Sequence, residues 1–160
     1  MLIKMSKAML SMALLAGFVG VVQAADQPPS REEAAIKFRK SAYTTLMWYF
    51  GPIVRTAKGD IPYDKGLIAR NAEYVAFLSK LPRDGFIPGS DKGETKAKPE
   101  IWTNSAKFKD AADALERETA KLAEIAKGGN LEAIKEQAGK VQKACKSCHD
   151  DFKKKEEDKK

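Results

Sequence analysis

From Ser30 to Phe152 apolar residues recur at spacings of three and four, and strand-type alternation is absent. That pattern restricts the chain to helices packed on one another. Ser30, with Glu33 three residues on, makes a capping-box signature just after Pro28 and Pro29. Ile36, Arg39, Tyr43, Leu46, Phe50 and Ile53 then share one helical face. Pro52 lies inside this pattern and predicts a kink or a tightened last turn before Lys58-Gly59-Asp60 ends it. A second helix is expected from Asp64, with Leu67, Asn71, Val75, Leu78 and Leu81 inward and Pro82 as its stop. Arg83 to Lys98 follows as a long loop, a kind of segment that often covers a functional site. The third helix opens at Pro99-Glu100 or at Asn104, carries Phe108, Ala112, Leu115, Leu122 and Ile125, and closes at Lys127-Gly128-Gly129. Asn130 caps a fourth, lined by Leu131, Ile134, Ala138, Val141, Cys145, Cys148 and Phe152. The expected fold is all-α: one antiparallel four-helix bundle, without an internal repeat or a second domain.

Ahead of this domain, residues 1–24 read as a cleaved secretory signal. Lys4 and Lys7 precede the apolar stretch Ala8 to Val22, and the small residues Val22 and Ala24 favour cleavage after Ala24. The stretch is short for a membrane span, and none follows it, so no stable membrane insertion is expected. The mature domain is then 25–160, long enough for one real core. Formal charge over the whole chain is +7, from 29 basic and 22 acidic side chains. The surplus is spread along the chain, without the basic stripe and interleaved aromatics of a nucleic-acid groove.

Cys145-Lys-Ser-Cys148-His149 carries the chemistry. Cysteines three apart on a helix project from one face toward a common object. C-x-x-C-H is the spacing of covalent c-type haem attachment: the two thiols form thioethers and the histidine ligates iron. A zinc site needs about four protein ligands, and the chain holds two cysteines and one histidine. A thioredoxin-like dithiol would open a helix after a strand. A disulfide across one helical turn would be strained and would close almost no loop. Export agrees with haem attachment, which takes place outside the cytoplasm.

Four segments together resemble the cytochrome c′ family: Lys37–Ala42 (KFRKSA), Pro62–Asp64 (PYD), Lys98–Trp102 (KPEIW) and CKSCHDDFKKK from Cys145 to Lys155. The resemblance spans essentially the whole mature chain, and the late position of C-x-x-C-H sets it apart from cytochromes with an N-terminal motif. It implies a periplasmic homodimer of four-helix bundles, each with one haem c held through Cys145 and Cys148. The iron would be high-spin and five-coordinate, ligated by His149 and hindered on its other face. Such proteins bind nitric oxide and carbon monoxide and exchange electrons with periplasmic redox partners. The family's haem-contacting arginine falls on Arg39. Lys40 stands where glutamine is common, and the loop before PEIW nominates Glu94 and Thr95 at the haem edge. Lys153 is the basic residue four positions beyond the proximal histidine; as one of the KKK run it reads equally well as a surface lysine.

The group opposite His149 separates the functional alternatives. His149 is the single histidine, and Met47 is the single methionine beyond Met12. Met47 is therefore the conventional candidate for a low-spin, six-coordinate electron carrier. The resemblance instead places Tyr43 over the iron, about 6 Å along the helix axis from Met47. A neutral phenol there would plug the site and could donate a hydrogen bond to a bound gas; Tyr43 reads also as an ordinary core aromatic. Trp48, Tyr49 and Phe50 form an aromatic cluster suited to a helix–helix or dimer interface. Trp102 fits either packing beside the haem or ordinary structure. Without a distal histidine and an acid–base partner, an enzymatic role has little support.

Overall fold

The computed structural model describes residues 28–155, so the expected signal segment 1–24 lies outside the described residues. Among the described residues there are five α-helices: α1 (Arg31–Lys58), α2 (Lys65–Leu78), α3 (Glu100–Thr103), α4 (Ser105–Gly128) and α5 (Leu131–Phe152). A 3-10 turn, Leu81–Gly85, follows α2.

The helix boundaries follow from local chemistry. At α1 the Ser30 hydroxyl accepts from the Glu33 N–H, while the Glu33 carboxylate accepts from the Ser30 N–H at 2.8 Å. Two of the orphan donors at the helix start are satisfied this way. Pro52 forfeits one ladder hydrogen bond but stays inside α1, which runs on to Lys58. Gly59 adopts φ +82°, the left-handed cap that ends the helix. The Asp64 side chain caps α2 through the Leu67 N–H, and Asn130 caps α5 through that of Ala133.

Two boundaries differ from the periodicity. α2 stops at Leu78, and Leu81 and Pro82 belong to the 3-10 turn. The residue before a proline resists the α conformation, and the Ser79 hydroxyl adds its own bond to the Ala76 carbonyl. The inward face of α2 is accordingly Ile68, Asn71, Ala72 and Val75, while Leu67 and Leu78 are half-buried. The third expected helix divides at Asn104, which leaves helical geometry at φ −124°, ψ 53°. Both of its candidate starts are real, one for α3 and one for α4.

α1, α2, α4 and α5 close a ring in which α1 packs on α2 and α5, and α4 packs on the same two. At one end the Tyr63 hydroxyl donates to the Gly129 carbonyl, joining the α1–α2 and α4–α5 connections. At the other, Lys107 near the start of α4 pairs with Asp151 at the end of α5. Neighbouring helices therefore run antiparallel, as in a four-helix bundle. The main core comprises Leu46, Phe50, Ile53, Ile68, Val75, Leu122, Ile134 and Val141 with smaller neighbours. A second cluster, Ala97, Ile101, Phe108 and Phe152, occupies the end where α4 begins and α5 finishes. Among the described residues no helix is long and apolar enough to cross a membrane.

Candidate functional site

The last two turns of α5 carry Cys145, Cys148 and His149. Both cysteines are half-buried, and they form no disulfide with each other. Cys145 packs against the main core and Cys148 against the second cluster, so the pair sits where the two apolar masses meet. Burial raises the Cys145 thiol above its usual range. It pushes Cys148 up to about 11, with help from Cys145 and Asp151. His149 lies on the exposed side of α5. Desolvation, then the positive charge of Lys153, lowers its imidazole below the ordinary value against the opposing pull of Asp150. The neutral, ligating form is thereby favoured.

Tyr43, on α1, is half-buried. Its hydroxyl is raised above the ordinary phenol range, first by burial and then by Cys148 and Cys145. Tyr43 therefore stays neutral and lies within electrostatic range of both thiols. Met47, one turn on, is 52% exposed, and its neighbour Trp48 is 77% exposed. Arg83, in the 3-10 turn, also acts on the Tyr43 hydroxyl. Its guanidinium is held by Asp113 and Glu116 of α4, both at 2.6 Å.

Arg39 lies one turn before Tyr43 and is 3% exposed. Its Nη1 donates to the Gly85 carbonyl (2.6 Å) and the Ser90 hydroxyl (2.7 Å). Its Nη2 donates to the Ser90 carbonyl (2.6 Å) and the Thr95 hydroxyl (2.8 Å). The guanidinium also stands over the Phe86 ring at 4.7 Å and the Trp102 ring at 5.9 Å. None of these partners carries a negative charge. The structure thus places Thr95 directly beside Arg39, whereas Glu94 and Lys40 stay exposed and meet through the Glu94 carbonyl at 3.4 Å from Lys40 Nζ. Trp102 donates its indole N–H to the Ile87 carbonyl, a structural tie next to the arginine. Ser90, Gly85 and Arg83 have no counterpart in the sequence reading. A serine and a glycine in a polar loop give no periodic signal, and the partners of Arg83 lie about thirty residues downstream.

These residues fit a covalently attached haem. Two thiols on one helical face meet the demand of thioether attachment, and an adjacent imidazole meets that of ligation. A buried guanidinium surrounded only by neutral acceptors is stabilised by a nearby anion, which a haem propionate would provide.

Comparison with known proteins decides the matter. Residues 34–153 match the family described as Cytochrome C′. The cytochrome c′ of Rubrivivax gelatinosus is 43% identical over 122 residues, covering 76% of this chain and 95% of its own.

The chain belongs to the cytochrome c′ family.

Its solved relatives have the same architecture. The crystal structure of the Rubrivivax gelatinosus cytochrome c′ matches with a TM-score of 0.72, over 75% of this chain and 94% of that one. A nitric oxide complex of a cytochrome c prime variant from Alcaligenes xylosoxidans, 38% identical, matches with a TM-score of 0.74 over 80% of this chain and all of its own. Cytochromes c′ carry covalent haem c, and Cys145 and Cys148 of this chain stand in the C-x-x-C-H attachment motif.

Proposed function

We propose that this cytochrome c′ is exported to the periplasm and holds a five-coordinate, high-spin haem that takes part in electron transfer and binds nitric oxide or carbon monoxide. The haem iron, when bound, supplies the one-electron couple and the position at which a diatomic gas coordinates. Cys145 and Cys148 fix the cofactor to α5, and His149 presents a neutral imidazole as proximal ligand. Arg39 supplies positive charge to a propionate. Lys40, Glu94 and Thr95 form the rim on the α1 side.

The observation that carries this reading is a half-buried, neutral Tyr43 within electrostatic range of the two thiols. A neutral phenol is a poor ligand and a bulky plug. It excludes water and large ligands, and its hydroxyl can donate to a small one. The exposure of Met47 counts against its use as a sixth ligand. Solved relatives include the nitric oxide complex above and a carbon monoxide complex of an Alcaligenes xylosoxidans variant that is also 38% identical. Both suit a gas-binding role here.

We also propose a homodimer, which an exposed apolar surface supports. Phe38 and Trp48 of α1 and Tyr74 and Phe77 of α2 are large apolar residues left exposed on two adjacent helices. A second copy seated on that face would cover them.

Intact-mass measurement of the chain secreted by a host competent in c-type maturation tests attachment and export together. The expected species begins at Ala25 and carries one haem, and Cys145→Ala/Cys148→Ala carries none. A chain retaining residues 1–24, or one without haem, contradicts the proposal.

A further inference from the structure

Residues 86–99 run from the 3-10 turn to α3 without helix or strand, and form a strap pinned at two places. The first pin is Arg39, whose four terminal N–H groups are all committed, to Gly85, Ser90 twice and Thr95. The second is a short antiparallel pairing centred on Ala97 and Lys153. There the Lys98 N–H donates to the Phe152 carbonyl at 3.0 Å, and the Lys154 N–H to the Lys96 carbonyl at 2.8 Å. Thr95 links the two pins, because the hydroxyl that accepts from Arg39 also accepts from the Ala97 N–H at 3.1 Å. On the far side the Lys153 N–H closes the last turn of α5 onto the His149 carbonyl at 3.1 Å. Hydrogen bonds and the short backbone segments between them therefore join Arg39 on α1 to the backbone of the residue read as the proximal ligand.

We infer that Arg39 is a positioning residue for His149: its guanidinium fixes the strap, and the strap fixes the end of α5 that carries the imidazole. A propionate cannot take the same terminal N–H groups unless the strap lets go of them. The arginine can lend charge to the cofactor while its directional bonds serve the protein. Four short bonds from a buried planar fork specify geometry in a way that an ammonium in the same place could not. The inference rests on the proposed ligation of iron by His149, and its test separates the two.

The experiment compares the holoprotein with Arg39→Lys, which keeps the charge and loses the fork, and with Ser90→Ala/Thr95→Val, which keeps the arginine and removes two of its acceptors. Amide hydrogen exchange and the iron–histidine stretching band of the ferrous protein are read for each. Both variants should speed exchange at Ala97, Lys98, Lys153 and Lys154 by about tenfold or more, the scale of one lost charge-assisted hydrogen bond. Both should also shift or broaden the iron–histidine band. Exchange at Lys153 and Lys154 and a band unchanged in Ser90→Ala/Thr95→Val would overturn the inference, as would faster exchange confined to the strap with an unaltered band. Absence of the band from the unsubstituted protein would refute His149 ligation instead, and the exchange comparison would still report on the strap.

Discussion

Tyr43 is the residue on which the gas-binding reading turns. On the proposed reading its ring gates the iron, so Tyr43→Ala should accelerate carbon monoxide association by roughly tenfold or more, equivalent to about 1.4 kcal/mol off the barrier. Flash photolysis of the ferrous complex would measure it. Farther from the thiols, Asp113 is held down to about 2, first by its hydrogen bond from Lys109 and next by that from Arg83. Its unfolded-state value is near 3.8. The stabilisation it provides is complete above that value and is lost as pH falls toward 2. Asp113→Asn should therefore flatten the pH dependence of stability between about pH 4 and 2, measured by denaturant unfolding across that range. At this scale the legible residues were those whose spacing is itself chemistry, Cys145, Cys148 and His149. Arg39, Tyr43 and Thr95 emerged through the family resemblance. Ser90 and Gly85 did not emerge at all, because their role as acceptors for Arg39 exists only once a loop some fifty residues away folds against α1.

Among the elements, the 3-10 turn that leads into the strap is packed closely enough on α1 to feel a single methyl group. A Cβ at Gly85 would lie 2.8 Å from Arg39 Cβ and 2.9 Å from the Ala35 carbonyl oxygen. Backbone on that side cannot yield cheaply, so Gly85→Ala should destabilise the fold by about 1–3 kcal/mol in denaturant unfolding. Ser30→Ala should cost about 1 kcal/mol through loss of the α1 cap, by the same measurement. Helix starts were legible because Ser30, Asp64 and Asn130 announce their caps in sequence. The end of α2 was less so: Leu81 fits the apolar period, but the backbone restriction before Pro82 overrides it. The break at Asn104 showed only as two competing starts, since a one-residue interruption leaves the 3.6-residue pattern nearly intact.

For the whole molecule, four helices and their antiparallel order followed from periodicity and short connections. The division of the core into two clusters beside the cysteines did not, because it depends on how the strap folds back over the end of the bundle. The aromatic run at Trp48–Phe50 divides as its helical phase demands: Phe50 is buried and Trp48 faces outward. Trp48→Glu combined with Phe77→Glu should convert a dimer to monomers in sedimentation analysis while leaving the haem spectrum unchanged. The central claim, a haem whose iron is open behind Tyr43, is tested most directly by the absorption spectrum of the reduced holoprotein before and after addition of carbon monoxide. Broad high-spin bands that shift clearly on adding the gas are the predicted result. Sharp low-spin bands unmoved by carbon monoxide would contradict the account and indicate a strong sixth ligand, with Met47 the first candidate.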